Sequence, residues 1–195
     1  MSSCLKVLIA EDEYLNLMGL KSIVERLGHK VIGEADDGKK AIELASKLEP
    51  DLILMDINMP SIDGIEAIRE INKDTIRPVI IISGYHNQEL LDRANEVGVF
   101  AYLVKPVDER ALQSAIEICL ARFEDYSTLK KDYKNVKKTL EERKFIEKAK
   151  GILMDRHGLS EHDAMKALQN KSRDKNEKMV NVARKIIAAD EILQI

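Results

Sequence analysis

Acidic, hydroxyl and basic side chains stand where short apolar runs of this sequence end. The residues are Glu11, Asp12, Asp56, Ser83 and Lys105. If the fold brings them together, the carboxylates repel one another and the site needs positive charge. The Lys105 ammonium offsets one negative charge, and a hard divalent cation such as Mg²⁺ offsets the rest while keeping waters for an incoming phosphate.

Such a site suits one reaction, the attack of an aspartate carboxylate on a phosphoryl group. Asp56 is the candidate nucleophile, Ser83 would hydrogen-bond one phosphoryl oxygen, and Lys105 would pair with another. Taken alone, Asp56 could equally be a helix cap or a loop aspartate. The chemical interpretation therefore depends on whether the fold brings the other residues to Asp56.

The apolar runs are predicted to be strands, and helical patterns separate them. Strands are expected over residues 5–10, 31–35, 51–56, 78–83 and 100–104, with helices over 15–27, 39–48, 64–71 and 87–97 and again from 108 onward. This alternation predicts an α/β fold, a parallel sheet with helices on both faces. The carboxyl ends of the strands then meet at one edge of the sheet, where such folds bind ligands.

These motifs resemble the receiver domain of two-component response regulators. The resemblance spans about residues 5–121, within a domain assigned to 1–122, and follows the family's order of motifs. They are Glu11-Asp12, Asp56 within Asp-Ile-Asn-Met-Pro, Gly64, Ser83-Gly84 and Lys105-Pro106. The family's fold is a flavodoxin-like, doubly wound, five-stranded parallel sheet, which the resemblance therefore implies for this chain.

The resemblance also implies roles for individual residues. Asp56 is the implied phospho-acceptor, Ser83 and Tyr102 are the implied switch residues, and Lys105 is the implied catalytic-site lysine, in a cis peptide with Pro106. The implied Mg²⁺ ligands are Glu11, Asp12, Asp56 and the backbone carbonyl of Asn58. Without the other motifs, Tyr102 would be interpreted as a half-buried strand tyrosine. Tyr85 is bulky and is expected to slow the access of water to a phosphoryl group.

Composition and charge suggest two functions in one chain. Of the 195 residues 45% are hydrophobic and 33% charged, with no long apolar stretch, so neither a signal peptide nor a membrane span is expected. Cys4 and Cys119 lack metal-ligand spacing and fit a reducing cytoplasm. Residues 1–122 hold 14 Lys and Arg against 21 Asp and Glu, whereas residues 123–195 hold 17 against 13. The basic second part is compatible with a polyanionic partner.

A helical joint is predicted between the two parts. Residues 108–147 contain no proline or glycine, so the last receiver helix need not stop. An apolar seam recurs at spacings of three and four, at Tyr126, Leu129, Tyr133, Val136 and Leu140. This pattern favours a parallel coiled coil between two copies of the chain over residues 123–142. The alternative is a helix folded back on its own receiver.

The last part is predicted to form three helices over residues 143–195, the first of them the end of the long helix. It resembles the ANTAR domain, the RNA-binding output module of transcription antitermination regulators. The resemblance covers about residues 143–187 and rests mainly on Ala-Lys-Gly-Ile-Leu-Met at 149–154 and Gly158-Leu159-Ser160. Two positions depart from the family: Arg173 stands where methionine is common, and Gln169 where arginine is frequent.

Basic residues of this part are candidate RNA contacts. They are Lys150, Arg156, Lys171, Arg173, Lys178 and Arg184. Singly, each is better explained as a solvated charge, but together they could bind phosphates or bases. Gly151 is interpreted as a close-packing glycine, and His157 and His162 as surface histidines rather than a metal or phosphotransfer site.

The two resemblances together imply a cytoplasmic response regulator in a phosphorelay. A sensor histidine kinase would phosphorylate Asp56, the chain would dimerise, and the basic domains would bind RNA stem-loops in a transcript leader. The alternatives are a DNA-binding or a protein-interaction output. No second group of acid, base and nucleophile is visible, so no enzymatic activity beyond the chain's own phosphorylation and dephosphorylation is expected.

Overall fold

The computed structural model describes residues 4–73, 75–84, 92–94 and 96–192, with only the backbone of Ile192. Tyr85, most of the helix predicted over 87–97, and the final residues of the chain lie outside the described residues. The chain divides into two compact units, Met1–Ser127 and Thr128–Ile195.

The first unit is a parallel sheet covered by helices, as the sequence predicts. The strands are β1 (Lys6–Ala10), β2 (Lys30–Ala35), β3 (Leu52–Asp56), β4 (Val79–Ser83) and β5 (Ala101–Val104). The helices are α1 (Tyr14–Arg26), α2 (Gly38–Leu48) and α3 (Gly64–Ile71), together with the first part of α4 (Glu109–His157). The strand order is β2-β1-β3-β4-β5 and every pair is parallel, which is the flavodoxin-like arrangement.

Two hydrophobic clusters lie on opposite faces of this sheet. Successive strand residues alternate between them: Leu8 and Ile53 belong to one cluster, Val7 and Leu54 to the other. Helices α2 and α3 cover the first face, and α1 and the start of α4 cover the second. The central strands β3 and β4 are buried along their whole length, so their ends are held firmly in place.

The cysteines of the first unit differ in environment. Cys4 is exposed, whereas Cys119 on α4 is fully buried, with its sulfur 3.7 Å from the carbonyl oxygen of Val79. Burial raises the pKa of the Cys119 thiol to about 12. This thiol is therefore a structural, unreactive group.

Helix α4 begins in the first unit and ends in the second, without interruption over 49 residues. The sequence pattern places Tyr126 in the apolar seam, but this side chain packs against the core of the first unit, with its ring centroid 5.9 Å from that of Phe100. The other seam residues are exposed by 55% to 70%: Leu129, Tyr133, Val136 and Leu140.

The second unit contains the end of α4, α5 (Glu161–Asp174) and α6 (Met179–Ile192). A small core joins them, with Ala149, Leu168 and Ala183 fully buried at its centre. Ser160 caps α5: its hydroxyl accepts from the Asp163 amide at 3.2 Å and donates to the Asp163 carboxylate at 2.6 Å. Across the described residues, no helix is both long and apolar enough for a membrane crossing.

Candidate functional site

The strand register brings the predicted site residues to one edge of the sheet. Ala10 pairs with Met55, Asp56 with Ile82, and Ser83 with Val104. The residues that follow β1 and β5 therefore stand beside the ends of β3 and β4. The Lys105 amide donates to the Ser83 carbonyl at 2.9 Å, which fixes the backbone on that side of the site.

Lys105 lies between two buried carboxylates. Its ammonium nitrogen is 2.6 Å from Asp56 Oδ2, 2.9 Å from Glu11 Oε1 and 2.8 Å from Glu11 Oε2. Glu11 is 1% exposed and Asp56 4% exposed, so water screens these charges little. One lysine thus neutralises one of two closely spaced negative charges, and the Lys105–Pro106 peptide is cis, as the resemblance implies.

Burial and charge shift the ionisation of this group. Burial is the main cause that raises the pKa of the Glu11 carboxyl, and the negative charge of Asp56 raises it further, while Lys105 opposes both. Burial alone would lower the pKa of Lys105, but its hydrogen bonds to Asp56 and Glu11 raise it instead. Lys105 therefore keeps its positive charge over the physiological range.

The acidic residues fit a divalent cation. Glu11, Asp12 and Asp56 each offer a carboxylate oxygen, and these atoms lie within 4.8 Å of one another. Among the described residues Lys105 is the one cation in contact, so the cluster carries two uncompensated negative charges, the charge of one Mg²⁺. Glu11 Oε2 is buried and, although it is close to Lys105, it accepts no well-aligned hydrogen bond among the described residues. That oxygen has a lone pair for a metal.

The loop after β3 is shaped around Asp56. The Asn58 amide donates to Asp56 Oδ1 at 3.2 Å, and the Gly64 amide donates to the Ile57 carbonyl at 2.9 Å. A Cβ atom at Gly64 would overlap the Asp56 carbonyl oxygen, so only glycine fits there. The role of the Asn58 carbonyl as a metal ligand remains a prediction.

The two switch candidates differ in position. Ser83 is fully buried at the end of β4, next to the Asp56 strand. Tyr102 is half-buried on β5 and packs against the cluster covered by α2 and α3. Both remain predicted switch residues.

Sequence reasoning missed two supporting contacts. Asn16, in the first turn of α1, donates to Glu11 Oε1 at 3.3 Å and to Glu13 Oε2 at 2.8 Å, so Glu11 Oε1 accepts hydrogen bonds from both Asn16 and Lys105. Asp63 caps α3 and pairs with Arg93 at 3.0 Å. An asparagine five residues after an acid is a common pattern, so no signal in the sequence distinguished Asn16.

The candidate RNA-binding residues of the second unit fall into two groups. Three of them have partners: Lys150 lies 2.6 Å from Glu147 and 2.8 Å from Glu161, Arg156 lies 2.9 Å from Asp190, and the Arg184 guanidinium lies 4.6 Å from the centre of the Phe145 ring.

The other three candidates, Lys171, Arg173 and Lys178, are exposed and make no ion pair within the described part of the chain. They are therefore the cations most available to a polyanion. The two histidines, His157 and His162, are exposed as expected.

The interpretation of Gly151 as a close-packing residue is wrong. A Cβ atom at this position would meet nothing within 4 Å. The error arose because a glycine inside a helix usually marks a close helix contact, whereas here the glycine faces open space on α4.

Comparison with known proteins identifies both units. The family model of the response regulator receiver domain matches residues 7–117, and that of the ANTAR domain matches residues 134–187. The chain therefore belongs to the response regulators that join a receiver domain to an ANTAR domain.

Among full-length relatives, the chain is similar to the transcriptional regulatory protein PdtaR of Mycobacterium tuberculosis. The two are 40% identical over 182 residues, which cover 93% of this chain and 89% of PdtaR.

Solved receiver structures agree with the fold. One is the signal receiver domain of a modulated diguanylate cyclase from Desulfovibrio desulfuricans G20, with 34% identity, a TM-score of 0.58, and coverage of 62% of this chain and 96% of that one. Another is the CheX-CheY-BeF3-Mg complex from Borrelia burgdorferi, with 28% identity, a TM-score of 0.55, and coverage of 57% and 85%.

Proposed function

We propose that this chain is a phosphorylation-controlled transcription antiterminator that binds RNA stem-loops. The observation that carries the proposal is a buried aspartate, Asp56, in contact with Lys105 and beside Glu11 and Asp12, in a chain whose second unit is an ANTAR domain. The first feature suits a phospho-acceptor and the second an RNA output.

The phosphoryl group comes from a phosphohistidine of a sensor kinase. A carboxylate oxygen of Asp56 forms the new P–O bond while the P–N bond of the donor breaks. The electron pair of the broken bond stays on the imidazole nitrogen, which takes up a proton. Lys105 and Ser83 stabilise the transferred group by charge and hydrogen bonding, and the chain's own chemistry is limited to gaining and losing this group.

A magnesium ion belongs to this proposal. Glu11, Asp12 and Asp56 would hold it, together with the Asn58 carbonyl, and when bound it supplies positive charge next to the phosphoryl oxygens. The likeness to the receiver structure named for BeF3 and Mg supports this choice of cation. The acidic cluster, which holds more negative charge than Lys105 offsets, supports it from within the chain.

An apolar surface next to the site suits docking of the kinase. On α1, Leu15 is 83% exposed and Tyr14 is also exposed. Leu15 and Gly19 line a groove of about 160 Å³ that is bounded on its other side by Lys105 and Pro106. A donor helix seated there would bring its phosphohistidine to the edge that holds Asp56.

Dimerisation through α4 forms the second step. The stripe formed by Leu129, Tyr133, Val136 and Leu140 is exposed, and such a stripe at spacings of four, three and four is stable when it pairs with another helix. A second copy of the chain offers the same stripe in register. Two chains then present two ANTAR domains to two stem-loops, which raises the overall affinity for RNA.

The test uses the full-length protein with and without beryllofluoride and Mg²⁺. A pool of paired RNA stem-loops with randomised loops competes with a duplex DNA pool of equal length. We expect retention of the RNA, stronger with beryllofluoride, and no effect of beryllofluoride on Asp56→Asn. Equal retention of DNA would contradict the RNA output, and an Asp56→Asn variant that still responds would contradict the phospho-acceptor.

A further inference from the structure

The second unit contains a cavity that the proposed function does not use. It lies between α5, α6 and the end of α4 and has a volume of about 330 Å³, within the range of small-molecule sites. Its walls are apolar, formed by Leu153, Val182, Ile186 and two alanines. The rim carries Lys171, Lys175, Lys185 and Glu177.

Glu177 brings an unsatisfied acceptor to this rim. Its Oε2 pairs with Lys185 at 2.5 Å, but its Oε1 is buried and has no hydrogen-bond partner among the described residues. A buried carboxylate oxygen without a donor costs free energy, so this atom favours a ligand that brings one.

The backbone holds Glu177 in place for such a ligand. The Ser172 hydroxyl donates to the Glu177 carbonyl at 2.6 Å, and the Glu177 amide donates to the Ser172 carbonyl at 3.0 Å. Asn176, just before it, takes a left-handed backbone conformation with φ of 48°. The backbone of Glu177 is therefore fixed before any ligand arrives, and Lys185 holds one oxygen of its carboxylate.

The ligand that fits has a flat apolar body, an N–H donor at its edge and an anionic group nearby. Lys171 and Lys175 make no ion pair within the described part of the chain, so they are available to an anion. An unpaired nucleotide meets all three requirements: its base fills the apolar cavity, its amino group donates to the carboxylate, and its phosphate meets the lysines.

We propose that this cavity, which we call the Glu177 slot, binds one unpaired RNA base that carries an exocyclic amino group. Adenine, cytosine and guanine qualify. Uracil presents carbonyl oxygens on both sides of its single N–H, and these are repelled by the carboxylate. The inference rests on the proposed RNA binding and adds a base preference to it.

A neighbouring depression gives the RNA backbone a path. This depression, of about 410 Å³, shares Leu153, Ile186 and Ala189 with the Glu177 slot. Arg156 and His157 lie on its rim. A strand that leaves the slot in this direction passes Arg156, one of the RNA contacts predicted from the sequence, whose side chain is ion-paired with Asp190 on the same rim.

The experiment measures binding of labelled single-stranded oligoadenylate, oligocytidylate and oligouridylate of equal length to the full-length protein by fluorescence anisotropy. We expect adenylate and cytidylate to bind about five- to tenfold more tightly than uridylate. Glu177→Gln should abolish this preference. Glu191→Gln, which removes an exposed acid that pairs with Lys148 instead, should preserve it.

A second variant guards against misfolding of the first. Ala167→Trp fills the slot from an exposed position and leaves the Glu177–Lys185 pair intact, and it should weaken adenylate and cytidylate binding to the uridylate level. If RNA binds but neither variant changes the preference, the slot is refuted and the proposed function stands. If no RNA of any kind binds, both the Glu177 slot and the proposed function are wrong. If Ala167→Trp changes only the mass in solution, the slot binds protein and the inference is wrong.

Discussion

At the residue scale, the site consists of acidic side chains that share one cation, the ammonium group of Lys105. The sequence predicted that Glu11, Asp56 and Lys105 would meet, because each follows a strand and parallel strands end at one edge. It did not predict that Lys105 would contact both acids or that Asn16 would hold Glu11, because these contacts depend on side-chain rotamers across the site. Strand periodicity thus fixes which residues converge, and packing decides how they pair.

Gly64 is expected to tolerate no side chain. Gly64→Ala places a methyl group on the Asp56 carbonyl, so it should destabilise the protein by about 1–3 kcal/mol and slow phosphorylation of Asp56. The control is Gly19→Ala in α1, where a Cβ meets nothing within 4 Å; it should raise the free energy of unfolding by about 0.5–1 kcal/mol. Denaturant unfolding measures whether the free energy of unfolding falls in Gly64→Ala and rises in Gly19→Ala. Equal changes in the two variants would contradict the close approach at Gly64.

Magnesium is expected to stabilise the folded chain through the acidic cluster. A ligand that binds only the folded state at about 100 times its Kd adds about 2.7 kcal/mol of stability, seen as a rise in Tm. Asp12→Asn should remove most of this rise because Asp12 belongs to the cluster. Glu13→Gln changes the neighbouring exposed acid, which lies outside the cluster, and should keep it. Thermal unfolding with and without Mg²⁺ distinguishes the two variants, and an unchanged Tm in the wild type would exclude the site.

At the element scale, helix α4 belongs to both units. The absence of proline and glycine from residues 108–147 predicted a continuous helix, and this is confirmed over Glu109–His157. The seam was less predictable, because a heptad pattern alone does not show which residues pack against the receiver. Tyr126 belongs to the receiver core, and the exposed seam begins at Leu129.

The exposed seam is expected to determine the mass of the protein in solution. Replacing Leu129 and Val136 by glutamine removes two apolar contacts seven residues apart and should shift the chain from dimer to monomer. Lys131 and Lys138, replaced in the same way, have the same spacing outside the seam and should leave the dimer intact. Light scattering with and without beryllofluoride measures the mass of both variants in solution. A wild type that stays monomeric in both states would remove dimerisation from the proposal.

At the scale of the whole molecule, charge divides along the chain. The excess of acids over bases in residues 1–122 and of bases over acids in 123–195 was readable from the sequence. The sequence did not show which basic residues are available to RNA, because Lys150 and Arg156 are ion-paired and Arg184 lies over an aromatic ring. The Glu177 slot was also invisible to sequence reasoning, since it forms only where α5, α6 and the end of α4 pack together.

RNA affinity is expected to fall with salt in proportion to the cations that contact phosphate. Replacing Lys171, Arg173 and Lys178 by glutamine should reduce the slope of log affinity against log salt by about two to three, because each phosphate contact contributes about 0.7 in single-stranded and about 0.9 in duplex nucleic acid. The matched control replaces three exposed receiver lysines, Lys30, Lys39 and Lys47, and should leave the slope unchanged. Titration of stem-loop RNA at several potassium chloride concentrations measures the slope, and equal slopes in all three proteins would contradict the assignment of these cations.

Because the two thiols differ in exposure, the protein can be labelled at a single cysteine without any substitution. Cys119 is buried, with a pKa of about 12, while Cys4 is exposed. A maleimide dye at neutral pH should therefore attach to one sulfur in the native protein and to two after denaturation, which mass spectrometry counts. A reporter on the receiver could then follow binding of Mg²⁺ or beryllofluoride without any engineered substitution.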